Sequence, residues 1–98
     1  MGNWHNESTD GLCEALLSLK NKNECYAFLE DLCTVKEILE MSQRLSVAKL
    51  LHEGLNYAAI KEKTGVSTAT ISRISNAYEY GSGGYKNVID TCGGEQND

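Results

Sequence analysis

Proline is absent from all 98 residues. Nothing in the chain therefore locks φ or removes a donor inside a helix, so only caps and glycines punctuate it. Aromatic residues are few, with one Trp and one Phe, which excludes a core built mainly on large rings. No apolar run approaches the roughly 20 residues that a membrane-spanning helix requires. Residues 1–10 are polar and acidic, where a secretory signal would begin basic and turn apolar. These two absences make the cytoplasm the expected compartment. The four cysteines (Cys13, Cys25, Cys33 and Cys92) form no CxxC pair. Three fall among leucines and aromatics, as small buried hydrophobes do, and no ligand spacing joins them to His5 or His52, so no metal is expected. Two histidines, one of them near the start of the chain, support no Cys–His or Ser–His–Asp arrangement, which argues against an enzyme. The run Gly81-Ser82-Gly83-Gly84 lacks the GxxxxGK[ST] pattern of a phosphate cradle and reads as a flexible connector. No cofactor is implied.

What is present favours helices. The length suits one domain, small enough that dimerisation would help it bury apolar surface. The net charge of −5 is unevenly spread. Residues 1–43 carry −5 and residues 79–98 carry −3, whereas residues 44–78 carry +3. The cations of that middle stretch are Arg44, Lys49, Lys61, Lys63 and Arg73. A local basic surface attracts phosphate even when the whole chain is acidic.

Residues 1–7 read as a disordered tail. Leu12, Ala15, Leu16 and Leu19 then fall at helical spacing from Ser8 to about Lys20. Asn21 with Glu24 resembles a capping pair and opens a second helix to about Leu32. Thr34 with Glu37 forms a capping box for a longer helix to His52 or Glu53, apolar on more than one face and closed by Gly54. A helix of that kind suits a subunit interface, and residues 8–54 are expected to form the dimerisation region. Residues 55–80 divide into two short helices, Tyr57 to Thr64 behind Asn56 and Thr68 to Tyr78 behind Ser67. The Gly-rich connector and a short last helix fill 81–91, with a frayed tail over 92–98. There is no strand pattern, so the fold class is all-α.

The stretch from Ile60 to Ile74 carries the functional signal. Gly65 can turn the chain tightly with positive φ, and Val66 reaches back toward Ile60 and Ile71. Ser67 caps the second helix. At 100° per residue, Ile71, Ile74 and Tyr78 share one side of it, while Thr68, Ala69, Ser72, Arg73 and Asn76 share the other. Small residues at the N-terminal end allow a helix to sit close to base edges in a major groove. Thr68 and Ala69 can touch thymine methyls, and the hydroxyls of Ser67, Thr70 and Ser72 can reach bases or phosphates. Arg73 can pair with phosphate or guanine, and Lys61 and Lys63 are candidates for backbone contacts. The string resembles the common bacterial helix-turn-helix, Gly-Val-Ser-x-x-Thr-(Val/Ile)-Ser-Arg, although Lys61 stands where that pattern usually has alanine.

The likeness extends upstream. Thr34-x-x-Glu37, Arg44, Leu50-Leu51, Gly54 and the run from Thr70 to Asn76 resemble the Trp-repressor superfamily over about residues 12–78. With Tyr80-Gly-Ser-Gly-Gly-Tyr85 following, the chain looks most like its YerC/YecD-type branch. That resemblance implies an intertwined helical homodimer whose N-terminal helices interlace. It also implies two reading helices facing a two-fold symmetric operator in double-stranded DNA. In the tryptophan-sensing members, two arginines sandwich the indole ring. Arg44 and Arg73 stand at those positions, and Thr34 matches a further pocket residue. The sensing members carry glycine directly after the second arginine, where this chain has Ile74. That branched side chain is expected to fill part of the indole space, so tryptophan is not the expected co-effector and any other small molecule is left open. On the residues alone, Arg44 serves equally well as an interface or phosphate-binding arginine. The competing function is a protein-interaction module that borrows the helix-turn-helix shape without binding DNA.

Overall fold

Local capping sets the helix boundaries. The computed structural model describes residues 3–96, which form six helices: α1 (Glu7–Leu17), α2 (Lys22–Leu32), α3 (Val35–His52), α4 (Tyr57–Thr64), α5 (Thr68–Tyr80) and α6 (Gly84–Gln96). No strand occurs among the described residues, and none of their helices is long and apolar enough to cross a membrane. The chain divides into two compact units, Met1–Ile38 and Leu39–Asp98, with α3 contributing to both.

In the first unit, Asn6 and Thr9 exchange a reciprocal pair of capping bonds at 2.8 and 2.9 Å. Helix α1 thus begins inside the stretch expected to be a tail. It ends at Leu17, so Leu19 continues the apolar pattern beyond the helix. Asn21 accepts from the Glu24 amide at 2.9 Å, but the Glu24 carboxylate reaches back to the amide of Lys20 rather than that of Asn21. Thr34 and Glu37 form the full box that opens α3. Neither α1 nor α2 buries a residue.

The second unit holds the core. Val47 and Ala48 of α3 pack with Ile60, Val66, Ile71, Ile74, Tyr78 and Ile89, and Leu50, Leu55 and Tyr85 lean against them. The end of α3 explains how the chain turns into this cluster. Gly54 has φ +92°, its amide donates to Leu51 and the Leu55 amide donates to Leu50. That two-bond closure satisfies carbonyls the helix leaves open and brings Leu55 back onto the core.

At Gly65 the chain needs the same freedom. It adopts φ +74°, ψ 4° and donates to the Lys61 carbonyl at 2.7 Å. A Cβ there would meet no atom within 4 Å, so alanine would be penalised by torsion alone. Gly65→Ala is expected to destabilise the fold by about 1–2 kcal/mol. The check is a lower denaturant midpoint at unchanged slope; an unaltered midpoint would show that the turn does not need positive φ.

Two further helix ends differ from the expectation. Helix α5 runs to Tyr80, and α6 runs through residues 92–96, which were expected to be frayed. The buried anchor Ile89 and the bond from Thr91 Oγ1 to the Asn87 carbonyl hold α6 in its middle, and the sequence offers no proline to stop it before Gln96. The remaining residues of the expected tails, 1–2 and 97–98, lie outside the described residues.

Candidate nucleic-acid interface

Helix α4, the turn at Gly65 and helix α5 place a two-faced helix over the core. Ser67 sets the start of α5, accepting from the Thr70 amide at 3.3 Å and donating to Thr70 Oγ1 at 3.1 Å. Thr64 stiffens the turn from the other side, donating to the Ile60 carbonyl at 2.7 Å and accepting from the Val66 amide at 3.2 Å. Val66 is buried between the two helices' anchors, Ile60 and Ile71.

The faces of α5 separate cleanly. Ile71, Ile74 and Tyr78 are buried, whereas Thr68, Ala69, Ser72, Arg73 and Asn76 are all exposed. Ser67 is exposed too, but its hydroxyl is committed to the cap. Thr70 is half-buried and turns toward a cleft beside α5 instead of joining the open face. Lys61 and Lys63 stand exposed on α4. Among the described residues, no ion pair engages Arg44, Lys61, Lys63 or Arg73; the pair that does occur is His52 with Asp90. The cationic groups of this region are therefore open to an outside anion.

The cleft, of ≈ 490 Å³, brings Arg44, Arg73 and Ile74 together with Glu40, Gln43 and Tyr85. Ile74 is 5% exposed, so most of its side chain belongs to the core while its edge forms a cleft wall. Thr34 lies in the first unit, where its hydroxyl donates to the Glu37 carboxylate and accepts from the Glu37 amide. Glu40 and Gln43 could have been found from the sequence, since they lie four and one positions before Arg44 on one helix. Tyr85 could not, because its place depends on how α6 docks. The sequence also gave no sign of the partner of Tyr78, His52, which is 26 positions away and bonds to it at 2.6 Å.

Among the described residues, no group of three or more His, Cys, Asp or Glu side chains could hold a metal ion. The four cysteines are free.

Comparison with known proteins places this arrangement. The family model described as Trp repressor protein matches residues 7–92. The uncharacterised protein YerC of Bacillus subtilis (strain 168) is 48% identical over 81 residues, which is 83% of this chain and 78% of that protein. The crystal structure of a TrpR-like protein from Eubacterium eligens ATCC 27750 superposes with a TM-score of 0.85 at 49% identity, covering 90% of this chain and 91% of that one. A Trp repressor candidate from Staphylococcus aureus, also a crystal structure, gives a TM-score of 0.85 at 44% identity, covering 91% and 89%. The all-α topology is that of the Trp repressor, and DNA-binding regulation rather than catalysis is the business of that family. By the family model and by these relatives alike, the chain belongs to the Trp repressor family, on its YerC-like branch.

Proposed function

We propose that this protein is a homodimeric transcriptional repressor that binds double-stranded DNA sequence-specifically in the cytoplasm. The observation that carries it is the open face of α5. Thr68, Ala69 and Ser72 form a narrow, small-residue surface, and Ile71, Ile74 and Tyr78 anchor the opposite side. In this reading Thr68 and Ala69 meet base edges, and Ser72, Asn76 and the outer parts of Ser67 and Thr70 lie along the groove wall. Arg73, Lys61 and Lys63 bind phosphates and fix the register.

Exposed apolar residues support the second copy. Leu17 is 85% exposed, Val35 68% and Leu39 62%, and the first unit buries nothing of its own helices. Apolar faces of that extent on a small chain are removed from water most simply by a partner with the same faces. Two copies then present two reading helices about one DNA turn apart, facing a two-fold symmetric operator. Ile74 in the cleft wall supports DNA binding that does not respond to tryptophan.

The test is selection of binding sites from random duplex DNA, with and without tryptophan, followed by salt titration. A palindromic site, affinity falling steeply with salt and indifference to tryptophan are expected. Sharper selection with tryptophan would overturn the indifference to it inferred from Ile74. Binding that ignores salt, or no duplex selected, would favour the protein-interaction module.

A further inference from the structure

Tyr78 closes the inward face of α5. It is 9% exposed, and its hydroxyl lies 2.6 Å from Nδ1 of His52 in the last turn of α3. The other ring nitrogen of His52, Nε2, lies 3.1 Å from Oδ1 of Asp90 on α6. Lys86, one turn before Asp90, places its ammonium 5.1 Å from the centroid of the Tyr78 ring, within range of a cation–π attraction. Side chains of α3 and α6 therefore grip one tyrosine at its hydroxyl and over its face.

The donors and acceptors fix the order of this chain. An ionised carboxylate only accepts, so Nε2 carries a proton toward Asp90. In the neutral ring, Nδ1 then holds the lone pair and accepts from the Tyr78 hydroxyl. In the protonated ring both nitrogens donate and the tyrosine oxygen accepts, so the contact survives either charge state. Asp90 is 69% exposed, and a pair that open to water contributes little by itself. Its effect is to select the tautomer, and the mechanical constraint lies in the bond to Tyr78.

Ile71 and Ile74 hold α5 through apolar contact, which has no preferred direction. Such contact sets how deep the helix sits but leaves its rotation loosely defined. A directional bond at Tyr78, seven positions beyond Ile71, removes that freedom at the far end. We infer that His52 and Tyr78 are positioning residues for DNA recognition: they fix the tilt and rotation with which α5 presents Thr68, Ala69 and Ser72. Asp90 supports them by holding His52 in one tautomer. The inference rests on the reading of α5 as the DNA-contacting helix.

The experiment uses the full chain with Tyr78→Phe, His52→Ala, the double variant and Asp90→Asn. Affinity is measured on a selected duplex and on random duplex. Nitrogen spectra of His52 and amide exchange of α5 are recorded without DNA. Tyr78→Phe and His52→Ala are each expected to weaken selected-site binding about two- to tenfold, the scale of one hydrogen bond. Random-duplex binding should hold, and the double variant should be no worse than the weaker single. The neutral His52 ring should be the Nε2–H tautomer in the parent protein and lose that preference in Asp90→Asn. Undiminished affinity in both singles, additive losses, equal losses on random DNA or an Nδ1–H tautomer would each overturn the inference. If His52→Ala does not fold by circular dichroism, Tyr78→Phe, which loses a single oxygen, carries the comparison. If the parent selects no duplex, the DNA reading fails, while the tautomer and faster α5 exchange in Tyr78→Phe still decide whether the bond holds the helix.

Discussion

Ala69→Glu is expected to reduce binding to the selected operator by about a hundredfold or more, the largest effect of any single exposed change in this chain. Ala69 is exposed in the first turn of α5, the part that the proposed reading sets against the bases. A carboxylate there meets the negative field of the duplex, and like-charge juxtaposition at an interface costs several kcal/mol. The side chain is also too long for a helix seated against the groove floor. Because residue 69 is exposed, the variant should fold and melt much as the parent does, so the loss will read as recognition. Arg73→Ala provides the contrast. If Arg73 binds phosphate as proposed, affinity should fall about tenfold on every sequence, with the salt slope shallower by about one. Titration of both variants against selected and random duplex at several salt concentrations separates the two. Operator binding by Ala69→Glu at parental strength would remove α5 from the DNA surface altogether.

The features that give this helix its two faces were legible because they are local. Asn56, Gly65 and Ser67 are signals that act within three or four residues, and the buried and open faces of α5 follow directly from a period of 3.6. The same locality explains where the pattern misled. Leu19 keeps the apolar spacing of α1, but the helix ends at Leu17 and Ser18 caps it by donating both amide and hydroxyl to the Ala15 carbonyl. The stretch expected to fray contains Gly93 and Gly94, yet α6 continues to Gln96. Glycine lowers helix propensity by about 1 kcal/mol per residue without forbidding the conformation. What local patterns could not supply was anything joining distant elements. Tyr78 was placed inward, but nothing in its neighbourhood names His52 as its partner. Tyr85 reads as part of the segment after a connector until α6 docks and makes it a cleft wall. Resemblance groups Arg44, Arg73 and Ile74, and one cleft is lined by all three.

The same core that orients α5 sets the second large effect. Ile71→Ala is expected to destabilise the protein by about 2–5 kcal/mol, the range for removing a fully buried isoleucine side chain from a packed interior. Ile71 is 0% exposed, as is Ile60 opposite it across the turn. The lost atoms therefore leave a cavity that no solvent fills and that the two short helices can close only by moving. Domains of this size have roughly 5–15 kcal/mol in total, so the variant would keep a fraction of its margin and melt at least about 8 °C lower. Melting must be compared at one protomer concentration, because association of copies raises apparent stability by mass action. Ile74→Ala makes the control. Its side chain borders the open cleft, so truncation there enlarges a space that water already reaches, and the loss should be the smaller of the two. Equal losses at both positions would mean that the cleft wall is sealed in solution. A loss at Ile71 below about 1 kcal/mol would mean that α5 is not anchored where its apolar face says it is, and the geometry offered to DNA would have to come from elsewhere.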